Sequence, residues 1–312
     1  MKLSLIVPCY NEAESVALFQ EAVITAFAGC GYDYEIVFVD DGSKDATLHN
    51  LKKLYSKQLC PVKIISFSRN FGKEAGIFAG MQHACGEYIS LIDADLQQRP
   101  EIVREMVQIL DDNPDTDMVA AYQDRRSEGK ILSFFKKSFY NIINKLSTVK
   151  LKADASDFRT FRRSVAESIL ALSEYHRFSK GIFAWVGYQS IYIPYVACER
   201  VAGTTKWSFK KLLNYAIEGI IGYSTAPLRF SAYLGFGTAA AAVLYLLIVL
   251  LEKLIWGIAI PGYATVIVLI LLLGAMQLFC IGIIGEYVGK TFEQSKDRPI
   301  YIAKERIGCD DK

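Results

Sequence analysis

Read from its amino terminus, the chain alternates two hydrophobic patterns and then abandons both. Short, mostly apolar runs at 3–7, 36–39, 63–67, 88–92 and 118–121 each end in polar turn residues. Runs of four or five such residues, bounded in this way, predict strands buried on both faces, as in a parallel sheet. Longer helical stretches separate them, at 12–27, 46–56, 74–84 and 100–112. Asn11 followed by Glu14 predicts an N-cap with a capping-box partner for the first helix. The strand–helix alternation predicts an α/β fold: an open, doubly wound, mostly parallel sheet that takes ligands beyond the carboxyl ends of its strands.

After residue 225 the pattern changes. Residues 230–251 carry no charge, and neither do 254–285. Roughly 20 apolar residues at about 1.5 Å each cross the hydrocarbon core of a bilayer. Trp256, Gly257, Pro261 and Gly262 read as a turn, so two transmembrane helices are expected, at about 230–251 and 264–285. The composition agrees: 52% of residues are hydrophobic and mean hydropathy is +0.22, both high for a soluble protein. Two further segments, 131–150 and 207–223, mix aromatic and aliphatic residues with lysines. Each reads as an amphipathic helix, lying on an anionic membrane surface or packed on the soluble domain. The expected organisation is a domain over 1–225 that includes these helices, a membrane hairpin over 226–288 and a tail over 289–312.

Charge adds orientation. Lys206, Lys210, Lys211 and Arg229 precede the first span, and Lys290, Lys296, Arg298, Lys304 and Arg306 follow the second. The connection between the spans holds only Glu252 and Lys253. The positive-inside rule then puts both termini and the N-terminal domain in the cytoplasm, with the protein in the cell's inner (plasma) membrane. The net charge of +2 gives no reason to expect nucleic acid. Seven scattered cysteines without a C-x-x-C pair read as free thiols in a reducing compartment, and three separated histidines offer no zinc site.

Candidate chemistry sits where the strands end. Asp93-Ala94-Asp95-Leu96-Gln97 follows the fourth run. Two carboxylates at i and i+2, with the Gln97 oxygen nearby, can converge on Mg²⁺ or Mn²⁺, which also takes phosphate oxygens; the same residues could instead form a turn before Pro100. Pro8-Cys9-Tyr10-Asn11-Glu12 follows the first run, and Asp40-Asp41-Gly42-Ser43 the second. A tyrosine can stack on a base and a carboxylate can accept a base N–H or ribose hydroxyl, although Asp-Gly also makes an ordinary turn. A G-x-G-x-x-G loop after the first strand is absent, which argues against a dinucleotide oxidoreductase.

As a set, these motifs, with Ser68-Arg69-Asn70-Phe71-Gly72-Lys73-Glu74, Ser156-Asp157-Phe158-Arg159, His176-Arg177-Phe178, Arg200-Val201-Ala202-Gly203-Thr204-Thr205-Lys206-Trp207 and Ile284-Gly285-Glu286-Tyr287, resemble family 2 glycosyltransferases. More narrowly, they resemble the polyprenyl-phosphate type: bactoprenol glucosyltransferases and their dolichol-phosphate mannose synthase relatives. The resemblance covers nearly the whole chain. It implies a GT-A fold and the inverting transfer of a hexose, first choice glucose from UDP-glucose, to polyprenyl (undecaprenyl) phosphate for cell-envelope glycan modification. It also implies a divalent cation, Mg²⁺ or Mn²⁺, and a homotetramer.

Residue by residue, the resemblance gives Pro8, Tyr10, Glu12, Asp41, Lys73 and Asp93 to the nucleotide-sugar, with Tyr10 and Asp41 on the uracil. It gives Asp93, Asp95 and Gln97 to the metal, Arg125, Arg200 and Lys206 to the acceptor phosphate, and Asp157, with Asp95, to catalysis. The nucleophile is a lipid phosphate that is already anionic, so Asp157 acts either as a base or as a group that orients substrate. Two departures stand out: Gly-Thr-Thr-Lys-Trp at 203–207, where relatives more often have Gly-Glu-Ser-Lys-Tyr, and Ser156 where many have glycine. Transfer of GlcNAc, mannose or an aminoarabinose-type sugar, and a non-catalytic nucleotide-sugar-binding membrane protein, are the alternatives. A processive polysaccharide synthase would need more spans and a Q-x-x-R-W motif, which the chain lacks.

Overall fold

In the computed structural model of the chain, residues 1–123, 144, 152, 155–198, 221, 222, 224–256 and 262–309 are described. All five expected strands form: β1 (Leu3–Cys9), β2 (Tyr34–Asp40), β3 (Val62–Phe67), β4 (Tyr88–Leu91) and β5 (Met118–Gln123). The helices between them are α1 (Val16–Phe27), α2 (Thr47–Lys57), α3 (Lys73–His83) and α4 (Pro100–Asp112). Helix α4 has the expected bounds because its signals are strong. Proline at its first position needs no N–H partner, and Glu101 faces the positive end of the helix dipole.

The start of α1 differs from expectation. The helix begins at Val16 rather than Glu12, with Ser15 at its cap position and no side-chain capping bond. Asn11 lies in the left-handed region at φ 53°. Its side chain accepts the Lys44 N–H at 2.9 Å, so the residue expected to cap a helix ties two loops together. A short polar side chain is free to bond to whichever nearby backbone group tertiary structure presents.

Three strands went unforeseen: β6 (Ala155–Arg162), β7 (Ser190–Tyr195) and β8 (Ala303–Ile307). Two short helices, α5 (Arg163–Leu170) and α6 (Ser179–Trp185), follow β6. The sheet is mixed and has eight strands in the order β7-β5-β6-β4-β1-β2-β3-β8. Its centre, β4-β1-β2-β3, is parallel; β6 and β8 run antiparallel to their neighbours. Along β1, Leu3, Leu5, Val7 and Cys9 face the core shared with α1, α2 and α4, while Ile6 faces α3 and α5 on the other side. The sheet is therefore doubly wound, the GT-A architecture that the resemblance implied. Helix α3 lies so close to β1 that a Cβ at Gly80 would come within 2.2 Å of Ile6 Cγ2.

Two long helices follow, α7 (Ala226–Trp256) and α8 (Tyr263–Ser295). Their stretches Ala226–Val249 and Val266–Ser295 are long and apolar enough to cross a membrane. They overlap the expected spans. Their large apolar side chains point outward, Leu244 at 61% and Leu271 at 67% exposed, an arrangement that lipid tolerates and water does not. At 33 residues and about 1.5 Å each, α8 is roughly 50 Å long, well beyond a ~30 Å hydrocarbon core. Its last turns reach the soluble domain: Gln294 Oε1 accepts the Tyr175 N–H at 2.8 Å, Gln294 Nε2 donates to the Ser173 carbonyl at 2.9 Å, and Glu293 pairs with His176 at 2.5 Å. The expected tail is no tail. Residues 303–307 close the sheet as β8, and Tyr301 stacks on Phe67 with ring centroids 4.8 Å apart.

Candidate active site

The loops after β1 and β2 are laced together. Asn11 N–H donates to Ser43 Oγ at 2.9 Å and Glu12 N–H to Thr47 Oγ1 at 2.8 Å. Asp40 accepts from the Ser43 N–H and the Ser66 hydroxyl, which fixes the turn. Gly42 is required there: its φ is +63°, and a Cβ would sit 2.4 Å from the Arg69 carbonyl carbon. Asp41 is buried, and its carboxylate accepts the N–H groups of Phe71 (2.6 Å) and Gly72 (3.0 Å). Burial pushes its carboxyl up to about 6, against those two backbone bonds. The structure thus gives Asp41 a loop-holding task that the sequence did not reveal. Pro8 and Tyr10 lie half-buried beside this turn. Glu12 Oε2 accepts the Ser15 hydroxyl at 2.8 Å.

A second cluster forms at the ends of β4 and β6. The register pairs Leu91 with Arg159, so two residues further along, Asp93 and Asp157 fall opposite one another. Like charges across strands repel, and here Lys73 stands between them. Its Nζ is 2.6 Å from Asp93 Oδ1 and 3.4 Å from Asp157 Oδ2. Burial pushes the Asp157 carboxyl up, but the Lys73 charge, helped by Lys180 and Arg159, more than offsets it and leaves Asp157 below the usual carboxylate range. Partial desolvation of its stem lowers the Lys73 ammonium, and the charges of Asp93 and Asp157 reverse that, so it ends raised.

Around these residues lie groups that sequence reasoning passed over. Gln98, next to the expected Gln97, accepts the Asp93 N–H at 2.9 Å and donates to Asp93 Oδ2 at 3.3 Å. Asp95 Oδ1 accepts the Gln97 N–H at 3.1 Å, a local turn in which Leu96 is left-handed. Glu74 accepts both the N–H and the hydroxyl of Ser179, which anchors α3 to α6. Arg159, buried, donates to the carbonyls of Ser156 and Asp157 and braces the strand under the site. A doubled glutamine after the acidic motif was the one visible hint; the Glu74–Ser179 pair spans 105 positions and left none.

The cluster fits a divalent cation. Asp157 Oδ1 is buried and without a hydrogen-bond partner. Asp93 offers a hard carboxylate oxygen on the other side of Lys73, and Asp95 follows two residues on. No three His, Cys, Asp or Glu side chains among the described residues form a metal cage. Arg125, Arg200 and Lys206 lie outside the described residues, as do the two amphipathic segments, except Asn144, Ile221 and Gly222.

A doubly wound sheet with paired carboxylates at its ligand edge, joined to an apolar hairpin, defines a membrane-associated enzyme of the glycosyltransferase class. Residues 4–170 match the family model described as glycosyl transferase family 2, and residues 226–291 match the GtrB C-terminal hairpin. The chain belongs to glycosyl transferase family 2. It is 40% identical over 304 residues to the bactoprenol glucosyl transferase of Shigella phage SfV, covering 97% of this chain and 98% of the relative. It is also 40% identical to the putative glycosyltransferase CsbB of Bacillus subtilis, over 97% and 91% of the two chains. Among solved structures, a glucosyl-3-phosphoglycerate synthase from Mycobacterium tuberculosis with Mn²⁺, UDP-glucose and phosphoglyceric acid aligns over 70% of this chain and 77% of that one. Its TM-score is 0.46 at 17% identity, a likeness too low to assign a ligand.

Proposed function

We propose that this protein transfers glucose from UDP-glucose to a polyprenyl phosphate at the cytoplasmic face of the membrane, with inversion at the anomeric carbon. The observation that carries this reading is the Asp93–Lys73–Asp157 cluster, set at the ligand edge of a domain that α8 holds against an apolar hairpin. The names of full-length relatives support glucose and bactoprenol. The return of β8 to the sheet supports one side for everything outside the hairpin, and the positive-inside charges favour the cytoplasm.

In this reading the acceptor phosphate oxygen attacks the sugar C1 opposite the departing nucleoside diphosphate. Asp93, Asp95 and Gln97 hold Mg²⁺ or Mn²⁺, which when bound neutralises the diphosphate charge. Pro8, Tyr10, Glu12 and Asp41 form the nucleotide side. Arg125, Arg200 and Lys206 take the acceptor phosphate, since guanidinium binds it bidentately. Little deprotonation is needed, and an acid held below its usual range is a poor base. Asp157 therefore serves as a fixed charge that orients the sugar and steadies positive charge at C1. The hairpin keeps the domain near the lipid headgroup, supplying proximity. Assembly as a homotetramer is part of the same reading.

The test is a membrane assay. Labelled UDP-glucose with polyprenyl phosphate and Mg²⁺ or Mn²⁺ gives a chloroform-soluble sugar lipid that chelator removes. A panel of other sugar donors identifies the sugar if glucose fails; no label from any donor overturns the reading.

A further inference from the structure

Lysine is an odd choice for the first residue of α3. The start of a helix carries a partial positive charge, so a cation there is disfavoured. Yet Lys73 follows Gly72, whose φ of +99° swings the chain into the helix, and its ammonium reaches back between Asp93 and Asp157.

Lys63, at the other end of the sheet, shows how this fold builds a structural lysine. Its side chain is 13% exposed, and its three protons are spent on Glu35, the His83 carbonyl and Cys85 Sγ, all at 2.9–3.0 Å. Lys73 is 43% exposed and lies open to the site. One of the oxygens beside it, Asp157 Oδ1, has no partner. Its backbone is fixed on both sides, by Gly72 N–H on Asp41 and by Glu74 on Ser179, which leaves only the four-carbon stem to move.

We propose that Lys73 is a built-in counter-charge, holding Asp93 and Asp157 together while the site lacks a cation and transferring to the donor's diphosphate when the cation takes its place. Asp93 cannot satisfy both cations fully, so the ammonium competes with the metal for that carboxylate. Once displaced, it is a mobile point charge at the edge of the sheet where anionic oxygens arrive. The exchange ties cation entry to donor entry: a lone metal ion must evict Lys73 with nothing to receive it, whereas the metal with a nucleoside diphosphate provides an anion in compensation. The nucleotide half of this proposal rests on the function proposed above; the cation half does not.

The test uses the full-length protein in detergent, with Mn²⁺ binding followed by electron paramagnetic resonance and UDP binding by calorimetry. Removing an ammonium 2.6 Å from a shared carboxylate oxygen is worth at least about a factor of ten in cation affinity at an intermediate dielectric. Lys73→Met therefore binds Mn²⁺ alone at least about tenfold more tightly than wild type, while UDP in saturating Mn²⁺ binds more weakly. Opposite shifts are the signature, because a strut whose loss loosens the site weakens both. A second measurement needs no variant: modification of Lys73 by an amine-directed reagent, read by mass spectrometry, rises when Mn²⁺ is added alone and falls again with Mn²⁺ and UDP. Unchanged or weaker Mn²⁺ binding in Lys73→Met, no Mn²⁺ binding in either protein, or Lys73 labelling indifferent to Mn²⁺ overturns the proposal. If UDP fails to bind wild type while Mn²⁺ still displaces Lys73, the fault lies with the donor assignment and the counter-charge stands.

Discussion

The two ends of the sheet use the same chemical parts differently. At the amino end, Glu35 takes the Ser4 hydroxyl, the Cys85 N–H and the Lys63 ammonium, and Ser4 in turn accepts from Gly86 N–H at 2.7 Å. Both Glu35 oxygens are taken, and the carboxylate itself is 3% exposed. At the carboxyl end, Lys73 is shared between two acids, stays exposed, and leaves an oxygen of Asp157 unmatched. A sealed ion pair resists change, because removing either partner strands a charge away from water. An unfinished one stores the capacity to bind whatever completes it. Within one sheet, the first arrangement marks a support and the second a site.

Four changes sharpen or break this contrast. The largest effect is at the open end. Asp95→Ala removes a carboxylate proposed to hold the cation, and transfer falls by at least about a thousandfold, the several kcal/mol a metal supplies to a leaving group. Sugar-lipid formation in membranes measures it, with unchanged thermal unfolding showing that the fold survives. At the closed end the outcome inverts. Glu35→Ala leaves the half-buried Lys63, the Ser4 hydroxyl and the Cys85 N–H without their acceptor and costs roughly 3 kcal/mol of stability in denaturant titration, while activity per folded molecule holds. An Asp95 variant that unfolds, or a Glu35 variant that is stable but inactive, would reverse the two assignments.

Next is a pH effect at the junction of α3 and α6. Burial, with the Asp157 charge, pushes the Glu74 carboxyl from an ordinary 4.5 up to about 7. The fold prefers its neutral form, so its contribution to stability is complete below about pH 4.5 and is lost as pH rises through 7. Glu74→Gln abolishes that dependence. Between pH 5 and 8 the variant's melting temperature should flatten relative to wild type, by the equivalent of about 3 kcal/mol at most. Parallel curves would mean that Glu74 is ionised throughout. The smallest effect belongs to the link with the hairpin. Gln294→Ala removes two hydrogen bonds to the 173–175 loop, each worth about 1 kcal/mol, and should lower the melting temperature modestly with KM for the lipid acceptor shifting more than that for the donor.

Much of this was legible in the chain. The central strands are apolar on both faces, so no local feature competes with their assignment, and Pro100 with Glu101 marks one helix start without ambiguity. The two long apolar helices were plain because a membrane crossing demands a long uncharged run. Other parts were hidden for physical reasons. Strand β8 reads Ala-Lys-Glu-Arg-Ile, a pattern that forms a strand only because β3 offers an open edge, where charges are tolerated and discourage further pairing. Strand β7 contains Pro194 and survives at the opposite edge. Strand β6 reads Ala-Ser-Asp-Phe-Arg-Thr-Phe-Arg, without a two-residue alternation, and is buried only once β4 and β5 enclose it.

By itself, then, the sequence determined the central parallel strands, the helices between them, the two apolar spans and the acidic motif at a strand end, since each depends on neighbours within a few positions. Tertiary structure alone decided that Asp93 faces Asp157, that Lys73 sits between them, that Asp41 holds a loop and that the last residues return to the sheet. Those outcomes depend on register between strands about 65 residues apart in the chain and on a helix that starts where Gly72 lets it. Short-range pattern specifies which segments seek burial, but which side chains meet is settled only when the strands are paired.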